Sequence, residues 1–144
     1  MNTVTAVDYT AHPGEATEDY AVRVATLLTP TVLAEVKKAY DDLTNAVPLM
    51  ILLTVAEKVS DLAEASNIKL GVYEVEVYDL IYRTSNGSVV VNNDQMSYQG
   101  GHVSVGFYSG TDWRDLGEAT GEVREFSDLD AAARAVSTLI AGLS

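Results

Sequence analysis

The segment Asn45–Asn67 constrains the fold more than any other part of the chain. Its apolar residues recur at helical spacing and predict one long helix, with Asn45 as the N-cap and Pro48 in the first turn. The first half of this helix is apolar on every side, because residues 49–53 include no polar side chain. Such a helix is buried all round, either in its own domain or against a partner. The apolar run from Ala46 to Ala56 has 11 residues, whereas crossing a bilayer needs about 20, so we predict no membrane span.

Two further helices are predicted before this segment and one at the C-terminus. Glu15–Leu28 carries acidic residues in its first turns, where they suit the positive end of the helix dipole. Pro30–Leu43 begins with Thr29 as N-cap and proline at the first helical position. The last helix follows Ser127, which we interpret as the N-cap of a capping box closed by Asp130.

After Asn67, which can end the long helix in a left-handed conformation, the apolar period changes from 3.6 to 2. Lys69–Arg83 predicts a long strand whose apolar residues change face, so we expect a bulge or bend near Val77–Asp79.

The dipeptide Asn86-Gly87 is typical of a type I′ hairpin. A two-residue loop there would pair Tyr82 with Val91 and Thr84 with Val89. The remaining predicted strands are Ser88–Asn92, Gly101–Ser109 and Glu122–Phe126.

This order predicts an α+β fold: three N-terminal helices, an antiparallel meander of three to four strands and one C-terminal helix. The length of 144 residues indicates one domain, with residues 1–13 as a flexible arm or an edge strand. The chain has no cysteine, which excludes disulfides, thiol nucleophiles and thiolate metal sites. Its first ten residues lack the regions of a signal peptide, so we expect a cytoplasmic protein or part of an assembled particle.

The chain is strongly acidic, with 21 acidic and nine basic residues and a net charge of −12. This charge opposes binding to phosphate backbones, which requires Lys and Arg, and we therefore expect no direct contact with nucleic acid. The acidity could serve solubility, reflect a salt-rich source or present a surface to a basic partner.

Two groups of residues could carry chemistry, and each also has a simpler structural interpretation. His102 shares a strand face with Ser104, and Glu74 or Glu76 could lie across the sheet, which keeps a small α+β enzyme using His102 as an alternative hypothesis. Residues two apart on any strand share a face, however, so we predict no catalytic residue. The acidic residues of 112–118 lack the central glycine of a calcium loop, and we predict no metal and no cofactor.

Between residues 111 and 130 there are seven acidic residues against two arginines. We define the acidic strip as Asp112, Asp115, Glu118, Glu122 and Glu125, which Asp128 and Asp130 continue. Such a strip could imitate the phosphates of DNA, and an inhibitor of a nucleic-acid-binding protein is a second alternative hypothesis.

The leading hypothesis is a non-catalytic protein that assembles with other protein subunits as a homo-oligomer. A subunit of a virion or of another symmetric particle is one concrete version. The motivation is threefold: the chain has no credible chemical site, the long helix has an excess of apolar surface, and the strands are rich in small residues, Thr and Asn that suit lateral packing. The helix residues serve as contacts only if one side of the helix is uncovered. The predicted interface residues are Met50, Ile51, Leu53, Tyr98 and Trp113.

Overall fold

The computed structural model describes residues 9–68, 70, 73–76, 78–93, 102–112 and 114–143. In these ranges, three α-helices and a short 3₁₀ helix, Leu43–Ala46, precede an antiparallel sheet, and one α-helix follows it. The α-helices are α1 (Thr17–Leu27), α2 (Pro30–Ala39), α3 (Val47–Ala65) and α4 (Leu129–Leu143). The strands are β1 (Tyr73–Glu76), β2 (Asp79–Thr84), β3 (Gly87–Asn92), β4 (Val103–Tyr108) and β5 (Ala119–Phe126), and they neighbour one another in chain order. The α+β class is confirmed, but the prediction of three to four strands is wrong because the sheet has five.

The additional strand comes from the region predicted as one long strand. The chain reverses between Glu76 and Asp79, and β1 pairs with β2 from there back to Tyr73 opposite Tyr82. The change of apolar face therefore lies where it was predicted, but it marks a hairpin turn and not a bend within one strand. Because β1 and β2 are separate strands, each has its own alternation of faces.

The hairpin between β2 and β3 has a different register from the prediction. Tyr82 lies opposite Val89 and Thr84 opposite Gly87, so the loop residues are Ser85 and Asn86. The Thr84 hydroxyl accepts a hydrogen bond from the Asn86 amide at 3.1 Å and donates one to the Gly87 carbonyl at 2.9 Å. Gly87 has a φ of 147°, and a side chain there would collide with β4. Its glycine is thus required by close packing of two strands, which a local turn rule does not detect.

The start of α3 also differs from the prediction. Asn45 belongs to the 3₁₀ helix, where its side chain donates to the Asp42 carboxylate at 3.1 Å, and Ala46 precedes α3 without a side-chain cap. The Asp42 carboxylate also accepts from the Thr44 amide at 2.9 Å, which fixes a separate turn after α2. Helix α2 ends at Ala39, four residues before the predicted end at Leu43.

Three other helix ends can be compared with the sequence. Thr29 caps α2 as predicted, accepting from the Val32 amide at 3.3 Å. Asn67 has a φ of 54° after α3, as predicted for a left-handed end. At α4 the cap is Asp128 and not Ser127, since the Asp128 carboxylate accepts from the Asp130 amide at 3.0 Å.

The core lies between α3, α4 and the sheet. Its largest buried side chains from α3 meet β-strand residues such as Leu80 and Val91 and α4 residues such as Leu129 and Val136. Lys58 on α3 adds an ion pair to Asp130 on α4 at 2.7 Å. Burial lowers the pKa of Lys58, but the hydrogen bond and charge of Asp130 outweigh burial, so that pKa is raised. The ammonium therefore stays charged between the two helices.

The described part of the N-terminal arm packs against α1. Tyr9 is buried, and its carbonyl accepts a hydrogen bond from the Tyr20 hydroxyl at 2.6 Å. Arg23 of α1 donates to both carboxylate oxygens of Glu15 at 2.9 Å and also to the Thr10 carbonyl. These contacts hold residues 9–15 as part of the cover over the core.

Candidate interaction surface

Three of the predicted interface residues, Met50, Ile51 and Leu53, lie on α3. The prediction required one side of this helix to be uncovered, and two of the three residues are fully covered. Met50 and Ile51 are 0% exposed within their own chain, so neither side chain is open to a partner in the single copy, and their role as contacts stays a prediction. Helices α1, α2 and α4 and strand β2 all pack against α3, which covers its apolar circumference. Leu53 is half-buried and lines a shallow cleft beside α2. The other two predicted contacts, Tyr98 and Trp113, lie outside the described residues.

The acidic strip is divided among different structural settings. Asp112 and Asp115 lie in the connection from β4 to β5, and their carboxylates accept from the amides of Arg114 and Gly117 at 3.0 and 3.2 Å. These two carboxylates are turn caps. Glu122 and Glu125 are exposed on β5, but they lie on opposite faces of the sheet. The five residues therefore do not form one continuous acidic surface.

Carboxylates in the described ranges do not build a metal centre either. No group of three or more His, Asp or Glu side chains there is placed to hold a metal ion.

His102 lines a cleft of about 400 Å³, together with His12 and Glu15 of the arm. Two hydrogen bonds from Arg23 and one from the His12 amide lower the pKa of Glu15 to about 2, so this carboxylate is occupied and ionised. Within the described residues, no carboxylate lies within hydrogen-bonding distance of the His102 ring. The cleft has the concave shape that an enzyme requires but lacks a base–acid pair.

The carboxylates predicted opposite His102 are not near it. Glu74 and Glu76 lie on β1, which β2 and β3 separate from β4, and Glu74 forms an ion pair with Arg83. His12 is the residue that lines the cleft together with His102. Sequence spacing could not associate the two histidines, because the arm reaches this cleft through long-range packing.

Strand β5 is the least covered regular element among the described residues. It has eight residues, of which only Phe126 is half-buried and the other seven are exposed. It also forms one edge of the sheet, with β4 as its single strand neighbour. The edge strand at the other side, β1, has four residues, three of them half-buried. An edge strand presents unpaired amide and carbonyl groups, so β5 offers a longer and more open strand template than β1.

The pairing of β5 with β4 is interrupted by a bulge and is regular on either side of it. Val103, Ser104 and Val105 lie opposite Phe126, Glu125 and Arg124, respectively. Beyond Val105 the register shifts, and Gly121 has a φ of 79° in the resulting bulge. Thr120 and Ala119 pair again with Phe107 and Tyr108, so the irregular part of β5 is residues 121–123.

A groove of about 390 Å³ lies between β5 and α4. Its apolar lining includes Val105, Phe126 and Leu139, and two arginines, Arg124 and Arg134, also line it. The Arg124 guanidinium lies 5.1 Å from the centre of the Phe126 ring, which fixes its position.

Among the described residues, neither groove arginine forms an ion pair, although the chain has more than twice as many acidic as basic residues. By contrast, Arg23, Lys38, Lys58 and Arg83 each contact a carboxylate of their own chain. Unpaired guanidinium groups beside an open strand are suited to a carboxylate from another molecule.

Comparison of the chain with protein-family models, with curated proteins and with solved structures finds no match. Among the described residues, no helix combines the length and the apolar character that crossing a bilayer requires.

Proposed function

We propose that this protein is a non-catalytic assembly component whose work is to bind other protein subunits, chiefly further copies of itself. The observation that carries the proposal is β5, which lies at one edge of the sheet and is exposed at seven of its eight residues. Strands gain most of their stability from packing and from pairing on both sides. Strand β5 is exposed and is paired on one side only, so a partner strand would add both packing and pairing.

The surroundings of β5 support the same proposal. The groove beside it combines apolar side chains with Arg124 and Arg134, which form no ion pair within the part of the chain that the structure describes. Protein interfaces combine an apolar centre with charged groups that fix orientation and partner choice. Assembly in a cytoplasmic complex and assembly into a larger particle such as a virion would both use this kind of surface.

The two alternative hypotheses receive less support. An acidic DNA mimic needs a continuous run of carboxylates, whereas Arg124 lies between Glu122 and Glu125 and these two point to opposite faces. An enzyme using His102 needs a carboxylate or nucleophile in contact with the ring, and Glu15 is held by Arg23 instead.

The direct test is the molar mass in solution, measured by light scattering over a range of protein concentrations at low and at high salt. We expect a mass that rises with concentration from the monomer value of 15.4 kDa to an integer multiple of it. A mass of 15.4 kDa at every concentration and salt level would contradict the proposal.

A further inference from the structure

We propose that the groove between β5 and α4 binds a small organic monocarboxylate that carries an apolar group. This inference goes beyond the proposed function, because it assigns a ligand to the groove and not a partner to the strand edge. The groove lies on the α4 face of the sheet, whereas the open amide and carbonyl groups of an edge strand point along the plane of the sheet. A ligand in the groove therefore leaves the edge of β5 free for pairing.

The groove has one wall from each of two elements that run back along each other. Only Ser127 and Asp128 separate β5 from α4, so the helix returns along the strand and packs against it. The lining residues of the helix recur at the spacing of one helical face: Ala131, Arg134, Ala135, Thr138 and Leu139. Those of the strand alternate, as residues on one face do: Glu122, Arg124 and Phe126. Each wall therefore contributes one arginine.

Small and apolar side chains line much of the rest of the groove. Val105 of β4 lies opposite Arg124 and is buried, and the short side chains of Ala131 and Ala135 leave space beside the strand. Phe126 and Leu139 are half-buried, so both have apolar surface that a ligand can cover. The volume of about 390 Å³ is that of a small-molecule site, which is typically mostly apolar with a few charged groups that fix orientation.

The charged lining residues determine which ligand charge the groove accepts. Neither Arg124 nor Arg134 forms an ion pair within the described ranges, whereas four other basic side chains there contact a carboxylate of their own chain. Guanidinium groups bind carboxylates through charge-assisted hydrogen bonds. The Arg124 guanidinium lies 5.1 Å from the centre of the Phe126 ring, so it loses less conformational freedom when a ligand binds.

One carboxylate of the chain lines the same groove and limits the charge of the ligand. Glu122 is exposed and forms no ion pair with either arginine. Two arginines and one glutamate give the lining a formal charge of +1, which a single carboxylate neutralises. We therefore assign a monocarboxylate, with its charged end at the two arginines and away from Glu122.

The test is an NMR titration of the ¹⁵N-labelled full chain in dilute solution, with 3-phenylpropionate as the probe. We expect saturable amide shifts confined to residues 124–126 and 131–139, with a dissociation constant of about 1 mM or tighter. Two matched probes separate the two parts of the ligand. The alcohol 3-phenylpropan-1-ol lacks the carboxylate and acetate lacks the apolar group, so each should bind at least about fivefold more weakly.

Charge variants identify the groups that hold the carboxylate. Arg124→Gln and Arg134→Gln should each raise the dissociation constant of 3-phenylpropionate about three- to fivefold, as expected for exposed ion pairs. Glu122→Gln removes a repulsive charge and should lower it by about twofold. Lys37→Gln, on the exposed side of α2 and outside the groove lining, is the matched control and should leave it unchanged. All four positions are exposed, and circular dichroism confirms that each variant folds.

The absence of saturable shifts, equal affinity for the alcohol, or wild-type affinity in both arginine variants would overturn this site. Groove amides that respond to protein concentration and not to the probe would show that a partner subunit fills the groove. That result would overturn the inference and leave the proposed function standing. A chain that binds the probe as expected but stays monomeric at every concentration would support the site and contradict the proposed function.

Discussion

Helix α3 and strand β5 show opposite relations between composition and exposure. The first half of α3 is almost entirely apolar, yet Met50 and Ile51 are fully enclosed by the same chain. Strand β5 has four polar residues among eight, three of them charged, and seven of its positions are exposed. The difference arises from position in the fold, since α3 has three helices and the sheet around it and β5 has one strand neighbour. The apolar content of an element therefore indicates how much of its surface must be buried. The topology of the fold decides which surface stays exposed to a partner.

The largest expected effect tests the enclosed side of this comparison. Ile51→Ala should lower the free energy of unfolding by about 3 kcal/mol, because it removes a fully buried side chain from a packed core and leaves a cavity. Leu53→Ala, on the half-buried side of the same helix, should cost only about 1 kcal/mol. Both values follow from urea denaturation monitored by circular dichroism. Equal losses of unfolding free energy in the two variants would mean that Ile51 is no more buried than Leu53, which would contradict the structure.

A smaller effect concerns a polar atom in the enclosed region. The Tyr82 hydroxyl is buried without a hydrogen-bond partner among the described residues, and burial raises the pKa of Tyr82 well above its ordinary value. Removing an unsatisfied buried hydroxyl should be favourable, so Tyr82→Phe should raise the free energy of unfolding by about 1 kcal/mol. Tyr20→Phe is the control, since it removes a hydroxyl that donates to the Tyr9 carbonyl at 2.6 Å and should lower stability by a similar amount. Destabilisation by both variants would contradict this account of Tyr82.

The arm that helps to cover the core should make stability depend on pH. The pKa of Glu15 is lowered from 4.5 to about 2, chiefly by its hydrogen bonds with Arg23. A lowered folded-state pKa contributes stability that is complete above the unfolded value and is lost as the pH falls toward the folded value. The stability difference between the wild type and Glu15→Gln should therefore be constant above pH 4.5 and shrink between pH 4.5 and about 2. Urea midpoints at several pH values measure this difference, and a difference that does not change across this range would rule out the Arg23 contact as its cause.

The smallest expected effect on folding is at β5. Val123 is 40% exposed, so Val123→Thr should change the free energy of unfolding of the dilute monomer by less than about 0.5 kcal/mol. A large loss of monomer stability would indicate that β5 is more covered than its exposure implies.

The periodic parts of the fold were predictable from the sequence. Helical spacing placed α1 to α4 within a few residues of their observed bounds, and Thr29 and Asn67 have the end roles that local geometry gives them. These features depend on neighbours in the chain, which a sequence displays directly.

The long-range features were not predictable in the same way. The apolar change of face near Val77–Asp79 is compatible with a bulge, a bend or a reversal, and only pairing of β1 with β2 distinguishes them. Gly87 suits a hairpin turn in sequence but is required by the approach of β4. The groove arginines Arg124 and Arg134 are ten residues apart on different elements, so no local pattern brings them together.

The contrast between α3 and β5 is tested most directly by hydrogen–deuterium exchange of the wild type at low and high protein concentration. Backbone amides of residues 47–65 should exchange slowly at both concentrations, because α3 is enclosed within each copy. The amides of residues 119–126 that point away from β4 should exchange fast in dilute solution and become protected as the concentration rises. Concentration-dependent protection in α3 with none in β5 would contradict the account.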